Sequence, residues 1–155
     1  MKDSPEGVER ELNADELLNR LRTAYPSFAA LDDDEAAEWD GEPVPNYVRV
    51  GRFAFHLADL AGKEGLDALG PALALAEDAI DTGDAYTREL ATVGLLEDLQ
   101  NACLQSKAGI RLVDVRALLG PKSTGAWDEL MTFWHGKPGE ARRRLPPGSI
   151  PETET

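Results

Sequence analysis

Several residue types are scarce in this chain of 155, and each scarcity removes a class of protein. The single cysteine, Cys103, rules out an internal disulfide framework. There are only two histidines, His56 and His135. His56 and Asp59 stand three apart on one predicted helix, but a metal site needs three or four ligands, so no metal or cofactor is assigned. Bases are outnumbered, with 16 Lys and Arg against 29 Asp and Glu and a formal charge of −13. Such a field repels phosphate, which excludes nucleic acid as the expected partner. No apolar run approaches the ~20 residues of a membrane span. The opening MKDSPEGVERELN carries no apolar core of a signal peptide, so a cytoplasmic location is expected. Glycine-rich phosphate loops, paired CxxC, HExxH and GxSxG motifs do not occur, and no enzyme is expected.

What remains is helical periodicity. Asp84–Ser106 contains no proline and one internal glycine. Tyr86, Leu90, Val93, Leu96, Leu99 and Cys103 recur at steps of three or four, one face of a helix. At about 23 residues it would run ~34 Å, long enough to serve as a central strut. Before it, ADELLNRLRTAY follows the capping residues Asn13 or Asp15 and stops near Pro26. VRVGRFAFHLADLAG and GLDALGPALALAEDAIDTG form further helices, ending at Gly62 and Gly83. After the strut come a short apolar helix or turn around Ile110–Leu118 and a helix opened by Pro121. The predicted fold is all-α, with five or six helices in antiparallel hairpins, arranged as a short solenoid-like stack or a compact bundle. A flexible segment is expected over 1–12, a single helical domain over 13–136 and a disordered tail over 137–155.

Two groups of residues are functional candidates. Between Asp32 and Glu42 lie seven acids and no base. Asp32, Asp33 and Asp34 are placed to cap a short helix. With Glu35, Glu38, Trp39 and Asp40 they form a candidate surface for a basic protein partner. Alternating acids around a central glycine, as in a calcium loop, are absent. The second group is Glu97, Asp98 and Asn101, polar residues interrupting the apolar strut three residues after Gly94. A structural role, through hydrogen bonds to neighbouring segments, is the expected one. Acid–base chemistry by Glu97 and Asp98 is the alternative. Cys103 and the aromatics Trp127, Phe133 and Trp134 fall at core spacings.

The segments VGLLEDLQN and LLGPKSTGAWDELMTFW resemble a family of small, uncharacterised bacterial helical proteins. The matching positions are Gly94, Leu95, Leu96, Glu97, Asp98, Leu99, Gln100 and Asn101, then Leu119, Gly120, Pro121, Ser123, Trp127, Leu130, Phe133 and Trp134. The resemblance covers about Tyr47 to Trp134 and leaves out the acidic N-terminal third and the tail. It implies a helical fold and a bacterial source, with no established activity. Some such proteins look like immunity proteins, which bind and neutralise a toxin. A non-enzymatic protein-binding module is therefore expected. A helical scaffold or regulatory protein is the alternative, followed by a carboxylate-dependent hydrolase. The oligomeric state is not legible.

Overall fold

Asn13 starts the first helix by the mechanism its residue type suggests. Its side chain accepts the Glu16 N–H at 2.9 Å while Glu16 accepts the Asn13 N–H at 3.1 Å, a reciprocal cap. The computed structural model describes residues 11–135, so the expected tail and most of the N-terminal segment lie outside the described residues. The helices are α1 (Ala14–Ala24), α2 (Pro26–Glu38), α3 (Asn46–Glu64), α4 (Gly70–Thr82), α5 (Ala85–Glu89), α6 (Glu97–Gln105), α7 (Leu112–Arg116) and α8 (Pro121–His135). A 3-10 turn, Leu66–Leu69, precedes α4. A π-helical segment, Leu90–Leu96, joins α5 to α6 in one continuous rod. Counting that rod once, the described residues form seven helices and no strand.

The flexible segment expected over 1–12 ends too late. Leu12 is buried, and its backbone pairs with the turn before the rod: its N–H donates to Thr82 O, and the Asp84 N–H donates to Leu12 O, both at 3.0 Å. The short acid-capped helix also needs correction. Pro26 is the first residue of a 13-residue helix, and the acids fall in its interior and last turns. Pro26 suits that position because its missing N–H has no intrahelical acceptor there.

The rod is the predicted strut with one alteration. In the π segment the Glu97 N–H reaches back five residues to the Thr92 carbonyl. An extra residue per turn moves the side-chain phase by roughly 100°. One 3.6-residue stripe therefore cannot describe both halves. Leu90, Leu96, Leu99 and Cys103 are buried as expected, whereas Tyr86 and Val93 are exposed. Gly94 admits the Tyr47 ring from α3, whose carbons would stand 3.3 Å from a Cβ there.

Helix α3 packs along the π segment and α6 of the rod, and α4 and α8 also pack against the rod. Helix α1 contacts α2, α4 and α5, so residues distant in the chain close on one another. One core cluster runs from Leu12 through Phe53, Leu73 and Leu95 to Trp127. In a solenoid each unit touches only its neighbours; this arrangement is the compact bundle. Tyr25 pins it, donating its hydroxyl to Ala68 O at 2.7 Å and accepting the Ala72 N–H at 2.9 Å.

The Gly120–Pro121 junction has a long-range cause. Glu77 on α4 accepts the N–H groups of Lys122 and Ser123 at 3.0 and 2.8 Å, capping α8. A Cβ on Gly120 would stand 2.6 Å from the Glu77 carboxyl carbon, so glycine makes room for the cap. Burial alone would raise the Glu77 pKa, but the Ser123 and Lys122 N–H groups outweigh it and hold the carboxyl below its usual range.

Candidate functional site

The acidic run divides into bound and unbound carboxylates. Asp32 is only 5% exposed. Arg49 donates to it through Nε at 3.0 Å and Nη2 at 2.7 Å, and Arg22 donates through Nη1 at 2.8 Å. Burial would raise its pKa; the Arg49 and Arg22 guanidinium groups more than offset this and hold it below the ordinary value. Glu35 pairs with Arg52 at 2.6 Å and accepts Trp39 Nε1–H at 2.7 Å. Asp32, Glu35 and Trp39 are thus occupied within the chain, which corrects their assignment to a free partner-binding surface. The last turn of α2 carries no base of its own, and acids there oppose the helix dipole, so the Arg52 pairing with Glu35 offsets an unfavourable placement. Asp33 also meets Arg22, at 3.0 Å, yet stays largely exposed. Asp34, Glu38 and Asp40 are exposed. Asp40 takes φ +56° and Gly41 φ +90°, forming the left-handed turn that ends α2.

The second group is broken up by the fold. Asn101 is exposed and has no hydrogen-bond partner among the described residues, so its expected structural role is not what the packing shows. Gln100 is the buried amide instead, donating Nε2–H to Trp127 O at 3.3 Å and tying the rod to α8. Its signal was present in the chain, since it stands four residues after Leu96 and three before Cys103. Trp127 is buried in the core, and Phe133 is half-buried. The Trp134 side chain lies outside what the structure describes. Burial pushes the Cys103 thiol up to about 11, which leaves it protonated and unreactive.

Glu97 and Asp98 are adjacent on the helix and, as neighbours in sequence do, face apart. Glu97 lines a groove with Val93, Ala126 and Phe133. Asp98 lines another, of about 520 Å³, between α2, α3 and α6. The apolar side chains of that groove are Leu31, Tyr47, Val48 and Phe55, each between 37% and 45% exposed. Its floor is Gly51, where a Cβ would stand 3.1 Å from Asp98 Oδ2. Burial raises the Asp98 pKa to about 6. Arg52 and His56 also line the groove, and neither is bonded to Asp98. Arg52 is held by Glu35, and His56 Nε2 lies 2.7 Å from Ser27 Oγ. Burial lowers the His56 pKa, with the Asp59 charge opposing. Asp59 itself pairs with Lys63 at 3.2 Å. Among the described residues no three His, Cys, Asp or Glu gather as a metal site. No helix there is long and apolar enough to cross a membrane.

Fold and groove together define an all-α domain with a half-buried carboxylate, unpaired among the described residues, at the foot of an exposed apolar cleft. The chain belongs to the family described as Domain of unknown function (DUF7674), matched over residues 18–135. The match begins well before Tyr47 and so takes in the acidic helix, which the resemblance in the sequence had left out. No curated protein and no solved structure matches the chain.

Proposed function

We propose that this protein is a non-enzymatic binding module for a basic protein, acting in the cytoplasm, with neutralisation of a basic toxin as its most concrete form. The observation that carries this reading is a juxtaposition on α2. Leu31 contributes to the exposed apolar groove, and the exposed acids Asp33, Asp34, Glu38 and Asp40 follow it on the same helix and its terminal turn. Apolar patches rimmed by charge are a common form of protein-binding surface. A chain of charge −13 steers a basic partner toward such a surface. The carboxylate-dependent hydrolase draws less support, because Glu97 and Asp98 line separate grooves.

The test is capture of partners from the source cell, followed by association kinetics across a salt series. A basic partner should associate more slowly as the screening length falls from ~10 Å at 0.1 M to ~3 Å at 1 M. Neutralising Asp33, Asp34, Glu38 and Asp40 together should slow association and flatten that dependence, with folding stability nearly unchanged. A tight partner that is itself acidic, or an on-rate indifferent to salt and to these substitutions, would overturn the reading.

A further inference from the structure

The groove floor holds an unresolved electrostatic problem. Asp98 is half-buried, has no hydrogen bond or ion pair among the described residues, and stands among apolar side chains. A carboxylate withdrawn from water without a partner is costly, and a cation reaching it repays that cost. The other buried acid, Asp32, is relieved by two arginines of the chain itself. The arginine that lines the same groove, Arg52, is engaged by Glu35 at 2.6 Å. With its pKa at about 6, Asp98 is ionised at neutral pH. The walls are suited to an aliphatic stem: Leu31, Tyr47, Val48 and Phe55 offer apolar surface between bulk solvent and the carboxylate. Lysine and arginine have this construction, a hydrocarbon stem with a charged head.

From the pairing of that apolar wall with an unpaired carboxylate, we infer that the Asp98 groove receives a lysine or arginine side chain of a protein partner, flanked in the partner by apolar residues. The inference rests on the binding-module reading and assigns its anchor point. It differs from that reading in where it places the decisive charge: on one secluded acid of α6, apart from the exposed acids of α2.

The experiment uses the full chain and a capped heptapeptide with one lysine between leucines, beside its counterpart with norleucine in the lysine position. Binding is followed by amide NMR shifts and by the Asp98 carboxyl titration. The lysine peptide should move the Tyr47, Gly51 and Asp98 amides and lower the Asp98 titration midpoint. It should bind about tenfold more tightly than the norleucine peptide, the low end of couplings measured for close ion pairs. Asp98→Asn should abolish that preference. This variant removes a strained charge and should fold, which its amide spectrum checks.

Equal binding of the two peptides, or a lysine preference that survives Asp98→Asn, would overturn the assignment. So would n-butylammonium alone binding as tightly as the peptide, which would give the groove to a free amine. A captured basic partner with salt-dependent association but the same affinity for Asp98→Asn would overturn the groove assignment while leaving the binding module standing. A lysine preference lost in Asp98→Asn, with no basic partner captured, would support the groove and count against the module.

Discussion

Asp32 and Asp98 are both carboxylates drawn out of bulk water, one on α2 and the other on α6, and their surroundings are opposite. Asp32 belongs to the most acidic stretch of the chain, yet both its oxygens are taken by Arg22 and Arg49. Asp98 is bordered in sequence by one acid and several apolar residues, and its carboxylate is bonded to nothing among the described residues. Acid density therefore does not measure how much negative charge is available. What matters is whether a guanidinium can reach each carboxylate without leaving a better partner. Arg49 reaches Asp32 from α3, whereas Arg52, three residues later, is taken by Glu35.

The largest effect should come from breaking the satisfied member of this pair. Asp32→Asn removes the carboxylate charge that two partly buried arginines share, leaving Arg22 only Asp33 as an anionic partner, and should cost roughly 2–4 kcal/mol, measured by urea unfolding at pH 7. The value lies toward the low side because both arginines keep some contact with water. The pH dependence has a definite sign. A folded pKa below the unfolded ~3.9 means the contribution is complete above about pH 4 and is lost as pH falls through the lower folded value. An Asp32→Asn protein as stable as the parent would show that the ion pairs contribute nothing net.

Asp98→Asn should act in the other direction. The folded carboxyl titrates at about 6, above its unfolded value of ~3.9, so the native state holds the proton more tightly. The penalty is full above about pH 6 and is relieved as pH falls toward ~3.9. The variant should gain roughly 1–2 kcal/mol at pH 7, less than full burial would give, and the gain should vanish by about pH 4. Unfolding curves at the two pH values check this. Equal stability of variant and parent at pH 7 would mean that Asp98 has a counter-charge.

Asn101→Ala is the smallest change and sharpens the contrast from outside it. The residue shares the rod with Asp98 but is exposed and unbonded among the described residues. Its loss should change the unfolding free energy by less than about 0.5 kcal/mol, measured by urea unfolding. A cost above 1 kcal/mol would restore the structural role that its place in the strut suggested.

Much of the fold was legible along the chain. The Asn13 cap, Pro121 at the start of α8 and the apolar periods of α1, α3 and α4 follow from interactions spanning three to seven residues. Such interactions depend on spacing alone. The misjudged points depended on phase or on distant neighbours. Val93 lies exposed within the π segment, where the period is altered, and no residue type marks that change uniquely. Gln100 could have been suspected from its place in the apolar register; its acceptor, Trp127 O, could not.

By itself, the sequence determined an all-helical chain, several of the helix ends and its strong negative charge, since hydrogen-bond period, capping and composition are local or additive properties; the stop expected at Gly62 was not among them, because α3 runs on to Glu64. Only the tertiary structure decided that Asp32 and Glu35 are spent on arginines, that Glu77 caps a helix 45 residues away, and that Asp98 lies in an apolar cleft with no partner among the described residues. The physical reason is that a carboxylate's charge state and partners depend on what surrounds it in space. Desolvation and ion pairing act over a few ångströms between residues that the chain separates by tens of positions.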